Sequence, residues 1–296
     1  MTLMVLRALD RLIDTTPPRL RGRDPYWRPT PPPCSKSVRE PAWSWRRPNG
    51  LEPLDLTGGV TVLDANAAYL AAASTVEVAH GRLINTKGRE FDPRVPGYWH
   101  VEIFPWLVPD IVSPLGTAKY PDLAWLTTPT VALLARLVDD GYWPEIHVTD
   151  SWTSVDRCRL RHWSEMISGI RREALLSGDR DAVESVKLAY SQAITTMGID
   201  KKSMIHRPDW SQHIRTQHAA NMWRKMWSAR GSGLPVLGSS AVDEIVTTSS
   251  AVRWCLDNAA KGGRPPLRID PTGLALGSFK VKKTLNAEEW SARESG

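Results

Sequence analysis

Apolar and polar positions divide the chain into a proline-broken beginning and a patterned remainder that starts near residue 58. Residues 60–63 are a short apolar run ending at Asp64. They predict a buried strand, and the alanine-rich residues 65–73 predict a short helix after it. "GYWHVEIF" at 97–104 alternates as a strand does. "TTPTVALLARLVDDG" at 127–141 predicts a helix with Thr128 as its cap, Pro129 in the first turn and Gly141 as its stop. "PEIHVTD" at 144–150 predicts another strand. Helical periodicity then runs over 156–176 and 180–197, separated by the turn "SGD", with Asp179 as cap of the second helix. A third long helix is expected over 207–231, with Pro208 near its start and Gly231 past its end. "GLPVLGSSAVDEIVTTSS" at 233–250 predicts a strand hairpin carrying Asp243 and Glu244. A helix near 250–260 and a strand near 274–282 follow. This mixture without internal repeats predicts an α+β fold with an antiparallel sheet.

Residues 15–50 are rich in proline, arginine and tryptophan, which predicts an extended linker or arm. Arginines interleaved with Trp27, Trp43 and Trp45 could stack on bases and touch phosphates, or the tryptophans could pack on the protein's own surface. Lys and Arg number 38 against 32 Asp and Glu, a formal charge of +6 that fits a polyanionic partner. Cys34, Cys158 and Cys255 lie far apart with no zinc spacing, so a reducing compartment is expected, and the histidines show no metal spacing either. No segment reaches the ~18 consecutive apolar residues of a membrane helix. "MTLMVLRALDRLID" is interrupted by Arg7, Asp10 and Arg11 and does not read as a signal peptide. The expectation is a cytoplasmic protein with no membrane partner.

Three segments carry candidate chemistry: "LDANAAYL" with Asp64, Asn66 and Tyr69; "VKLAYSQAITTMG" with Lys187, Ser191 and Gly198; and "AVDEIVTTS" with Asp243 and Glu244. A carboxylate at a strand end, a basic helical hairpin and a second carboxylate in a strand hairpin are the parts that two-metal phosphoryl transfer uses. There, two divalent ions roughly 3.5–4 Å apart clamp the attacking and leaving oxygens, and cationic side chains hold the triphosphate.

These segments resemble the palm and fingers of family B DNA polymerases, most nearly the short protein-primed phage type. The family's first motif, Asp-x-Asn-Ser-Leu-Tyr-Pro, falls on Asp64 to Leu70, matching at Asp64, Asn66 and Tyr69 but not at the proline. The resemblance implies that Asp64 and the Ala65 carbonyl bind metal, that Asn66 belongs to the nucleotide pocket, and that Tyr69 rejects a ribose 2′-hydroxyl. The second motif, Lys-x-x-x-Asn-Ser-x-Tyr-Gly-x-x-Gly, keeps Lys187 and Gly198 and has Ser191, Gln192, Ile194 and Thr195 where the family differs. Lys187, Ser191 and Ile194 share the helix face that the family turns to the incoming nucleotide. Arg171 and Arg172, near the hairpin tip, stand where the family keeps further triphosphate ligands. In the third motif, Asp-Thr-Asp-Ser, Ala241 replaces the first aspartate, Asp243 matches the metal-binding second, and Glu244 follows as a further metal-ligand candidate. "GLALGSFKVKK" resembles the segment that closes on primer-template and implies DNA contact by Lys280 or Lys282.

The resemblance spans residues 58–285 and implies a polymerase-type palm with a two-helix fingers insertion. The expected domains are an arm over 1–57, palm over 58–155, fingers-like hairpin over 156–200 and palm with a short tail over 201–296. The ~57 residues before the first motif leave no room for an exonuclease domain, and little chain remains for a thumb. The implied activity is Mg²⁺- or Mn²⁺-dependent transfer of a deoxynucleotide from a dNTP, with Asp64 and Asp243 as catalytic residues. The acceptor is a 3′-hydroxyl on primer-template DNA, or the hydroxyl of a terminal or priming protein. The alternative is a degenerate palm that binds DNA ends or serves replication without catalysis. Each residue also has a plainer reading: Asp64 as a helix cap, Tyr69 as a core aromatic, Lys187, Arg171 and Arg172 as a solvated face, and Lys280, Lys282 and Lys283 as the coat of an edge strand. The arginine, alanine and tryptophan bias points to a GC-rich source, such as a high-GC bacterium, its plasmid or its phage.

Overall fold

The computed structural model describes residues 29–39, 41–203 and 206–292. In chain order its strands are β1 (Trp43–Arg46), β2 (Val60–Ala65), β3 (Glu77–Ala79), β4 (Ile84–Asn85), β5 (Gly97–Glu102), β6 (Leu123–Thr127), β7 (Val148–Thr153), β8 (Arg157–Arg159), β9 (Val236–Ala241), β10 (Glu244–Thr248) and β11 (Phe279–Leu285). Its α-helices are α1 (Ala68–Thr75), α2 (Thr128–Asp139), α3 (Arg161–Leu176), α4 (Arg180–Ile199), α5 (Pro208–Gly231), α6 (Ser249–Ala260) and α7 (Ala287–Ala292). The fold is α+β with antiparallel sheets. Among the described residues, no helix is long and apolar enough to cross a membrane.

The chain forms two units, one from the described parts of Met1–Glu40, Tyr69–Pro105 and Lys119–His218, the other from Pro41–Ala68, Trp106–Ala118 and Ala219–Gly296. The second unit holds a five-stranded sheet in the order β1-β9-β10-β2-β11. Side chains alternate across a strand, so Val60, Val62 and Asp64 share one face of β2. Val246 lies opposite Val62, and Leu285 opposite Val60. These apolar residues join Leu237 and Trp290 in a buried cluster, and burying each aliphatic side chain of this kind contributes about 1.5–3 kcal/mol. At Asp64 the same face turns from apolar to charged.

The arm contributes to this sheet. Residues 43–46 pair with β9 from Trp43 opposite Ala241 to Arg46 opposite Gly238. Trp43 is buried and its indole donates to Ser113 O at 3.2 Å, while the Arg46 guanidinium lies 4.6 Å over the Trp290 ring. Trp43 thus packs on the protein's own body. Trp27 lies outside the described residues.

The first unit holds the four-stranded sheet β4-β7-β5-β6 and the pair β3-β8. Thr128 does not cap α2; Thr127 occupies that position. The Thr128 hydroxyl instead accepts from Gly97 N and Trp99 Nε1 and donates to Val95 O, tying the helix start to β5. Asp179 caps α4, accepting from Ala182 N at 2.9 Å. In α3, Trp163, Ile167, Arg171 and Ala174 form the buried stripe. Gly198 has a packing reason: a Cβ there would meet Ser211 Oγ at 2.8 Å, and that hydroxyl donates to Ile194 O, so α4 and α5 approach closely. In the second unit, α5 ends on Gly231, and the left-handed stop falls two residues later, at Gly233 with φ 73°.

Candidate functional site

The antiparallel register of β10-β2-β11 sets Asp64 directly opposite Glu244 on one side and Lys280 on the other. Asp64 Oδ2 lies 3.0 Å from Lys280 Nζ. In β11 the register slips between Val281 and Lys283, so Lys282 has no partner in β2. Such a bulge re-aims a side chain, and Lys282 Nζ donates to Glu244 Oε1. Asp243 sits in the turn between β9 and β10, and its carbonyl accepts from Ala65 N at 3.0 Å. Three carboxylates therefore stand at one end of one sheet. Burial first, then the negative charges of Asp64 and Glu244, push the Asp243 carboxyl above its ordinary value. Lys282 is pushed the other way in charge terms: its hydrogen bond to Glu244 and that carboxylate's charge hold its ammonium above the usual lysine range. Asp64 lies within β2, four residues before α1 begins, and so does not cap that helix.

Asn66 is buried, with its amide donating to Ser278 Oγ and Asp270 O; its backbone N–H donates to Ser278 O and its carbonyl accepts from Gly277 N. The amide thus fixes the segment leading into β11, including Phe279 opposite Ala65. Ala67 turns the corner to α1 with φ 45°, a left-handed conformation that costs a non-glycine residue roughly 1 kcal/mol. A residue the sequence reading missed lies beneath this segment. Lys225 of α5 donates to Gly277 O and stands 4.7 Å from the Phe279 ring. Burial, then the charge of Arg224, pushes its ammonium down to about 8. The signal in the sequence was weak, a lysine in a helix dense in Arg and Trp.

The remaining candidates lie in the first unit. The Tyr69 ring meets His218 edge-on at 5.1 Å, and the Arg215 guanidinium stands 5.7 Å from its centre. Arg215 Nη2 also donates to Thr195 Oγ1 at 3.1 Å, linking Tyr69 to α4. Arg215 and His218 were not singled out from the sequence. Arg171 is buried on the inner stripe of α3, while Arg172 is exposed. Lys187 is exposed with Glu184 at 3.9 Å, Ser191 is half-buried, and Ile194 on the same face is buried.

Among the described residues, no three Asp, Glu, His or Cys side chains converge as a metal centre. The donors at the sheet end nevertheless fit a divalent cation chemically. Carboxylate and carbonyl oxygens are the ligands Mg²⁺ and Mn²⁺ take, and Asp243 is a carboxylate repelled by two others. Lys280 holds Asp64 Oδ2 and Lys282 holds Glu244 Oε1, so a cation drawing on those two oxygens would have to displace the lysines.

No protein-family model matches the chain, and no curated protein matches it. Solved structures do. The chain is similar to Phi29 DNA polymerase in an orthorhombic crystal form, with TM-score 0.58 and 12% identity over 95% of this chain and 52% of that one. It is similar in the same measure to Phi29 DNA polymerase complexed with primer-template DNA and incoming nucleotide substrates, with TM-score 0.58, 12% identity and the same coverage of 95% and 52%. The likeness extends to that polymerase complexed with single-stranded DNA, with TM-score 0.58, 12% identity and coverage of 96% and 52%. The chain spans about half the length of the polymerase it matches. At this identity the likeness establishes the fold: an α+β chain with antiparallel sheets built like part of a DNA polymerase.

Proposed function

We propose that the chain is a DNA polymerase-like nucleotidyltransferase that binds primer-template DNA and a dNTP. The observation that carries the reading is the carboxylate row: Asp64 opposite Glu244, with Asp243 in the adjoining turn. A fold spends stability to hold three like charges together, and such clusters mark functional sites. Bound divalent ions would supply electrostatic stabilisation of the transferring phosphoryl group. Asp64 and Asp243 would hold them, aided by Glu244 and the Ala65 carbonyl. Tyr69 would lie against the deoxyribose, Arg171 or Arg172 with Lys187 would hold the triphosphate, and Asn66 and Ser191 would contribute to nucleotide binding. The acceptor is a 3′-hydroxyl or the hydroxyl of a priming protein.

A second reading is favoured by the ion pairs Asp64–Lys280 and Glu244–Lys282. Here the protein supplies its own cations, and the chain acts as a DNA-binding replication accessory without catalysis. One experiment separates the two: nucleotide incorporation on a primed template with Mg²⁺ or Mn²⁺, with DNA binding followed by fluorescence anisotropy. The transferase reading expects incorporation by wild type, a loss of at least about 10³-fold in Asp64→Ala, and unchanged DNA binding. Wild type that binds DNA yet incorporates nothing with either metal leaves the accessory reading standing.

A further inference from the structure

Lys280 and Lys282 are paired in an unusually regular way. Each sits on a carboxylate of the proposed transfer site, at 3.0 Å for Lys280 on Asp64 and by a direct hydrogen bond for Lys282 on Glu244. Strand register delivers the first and the bulge the second. The pairs are not sealed. The lysine side chains are 49% and 50% exposed, and the carboxylates 20% and 19%. Exposed pairs of this kind are weak and screened by salt. They are strong enough to neutralise a carboxylate row at rest, and weak enough for a doubly charged ion to displace.

We infer that Lys280 and Lys282 are exchangeable counter-cations. They neutralise Asp64 and Glu244 in the free protein, yield those oxygens to a divalent ion, and turn to phosphate oxygens of the nucleic acid. This inference rests on the transferase reading of the same site. It makes the two lysines positioning residues that couple cation arrival to phosphate binding. No covalent step is involved; two ion pairs are exchanged for metal–carboxylate and ammonium–phosphate contacts.

The test is Mn²⁺ binding to the full chain, read from the electron paramagnetic resonance signal of the free ion. Wild type, Lys280→Gln/Lys282→Gln, Lys283→Gln and Asp64→Asn/Asp243→Asn are compared. Lys283 is the control because it carries the same charge on the same strand but pairs in register with Val62. Each displaced pair is worth up to about a fivefold factor. The double lysine variant should therefore bind Mn²⁺ about tenfold more tightly than wild type, Lys283→Gln within about twofold, and the aspartate variant not at all. Equal affinity in the double variant and wild type, with binding still lost in the aspartate variant, overturns the exchange while leaving the metal reading intact. No Mn²⁺ binding by any variant overturns both. A second readout follows the released lysines. Because Mn²⁺ also occupies DNA phosphates and flattens the salt dependence of any protein, the readout is the difference between proteins. With Mn²⁺ the wild-type log–log slope should be steeper than that of the double lysine variant by about 0.9 for each new duplex phosphate contact, and without Mn²⁺ the two slopes should agree. Equal slopes in the presence of Mn²⁺ overturn the transfer to phosphate.

Discussion

Two sets of ion pairs in this protein use the same chemistry for opposite ends. In the first unit Arg207 and Asp209 are 1% and 8% exposed, with Nη2 to Oδ2 at 2.7 Å. Arg207 also donates to the carbonyls of Ala79 and His80, and its guanidinium lies 4.4 Å over the Trp210 ring. The Asp209 carbonyl accepts from His213 Nδ1, whose other ring nitrogen accepts from Gly97 N. Burial holds that imidazole below its ordinary value, in the neutral form these two bonds require. In the second unit the Asp64 and Glu244 pairs stand half in water, with a third carboxylate beside them. Burial and multiple hydrogen bonds turn a pair into structure. Exposure and an excess of one sign leave it open to exchange.

The comparison can be broken most forcefully at the sealed pair. Arg207→Met should leave Asp209 buried without its cation and cost about 3–5 kcal/mol, read as a fall in denaturation midpoint by calorimetry; a loss under about 1 kcal/mol would place this pair with the exchangeable ones. Lys225 is an intermediate case, a buried ammonium that donates to the Gly277 carbonyl. Its folded value of about 8 lies below the unfolded 10.5, so the unfolded chain binds more protons between those values. Stability must therefore rise as pH increases from 8 to 10.5. Urea midpoints at pH 7.5 and 10 should show wild type gaining about 1–3 kcal/mol relative to Lys225→Met. Asp243 gives the smallest effect. Its folded value is raised, so the folded state binds more protons just above the unfolded value, and stability falls as pH rises through that window. Asp243→Asn should be more stable than wild type at pH 7, by less than the Lys225 effect, read as a higher thermal midpoint, and the two should converge below the unfolded value near 3.8.

Much of the fold was legible because its long elements carry an unambiguous period. The helices over 180–199 and 208–231 and the hairpin of β9 and β10 lie where the apolar spacing placed them, while the helix expected over 156–176 begins only at Arg161, because Arg157–Arg159 pair with β3 as a short strand. Strands of two to four residues such as β3, β4 and β8 are too short for alternation to register, and β1 was hidden among prolines. At the sheet end, Asp243 and Glu244 stood out because carboxylates are depleted in β-type runs, and Asp64 because it closes an apolar run. Lys280 and Lys282 stood out as DNA-contact candidates but not as the partners of Asp64 and Glu244, since strand register and the bulge at Lys282 are properties of pairing and no local window contains them. The choice between Arg171 and Arg172 was within reach. Trp163, Ile167 and Ala174 set the phase of α3, and only Arg171 falls on it. Lys225 and Arg215 were out of reach, because what marks them is the loop and ring they meet in space.

The strand that carries the lysines is also the last in its sheet. A terminal strand offers unpaired backbone groups to any neighbouring chain, and charged side chains with a bulge are how natural sheets discourage that pairing. Lys280, Lys282 and Lys283 along β11, interrupted at Lys282, meet that description. The same side chains that neutralise the carboxylates therefore also guard the sheet edge against pairing. Removing them with an apolar residue would invite edge-to-edge association, which is why the neutral replacements at these positions have to be glutamine.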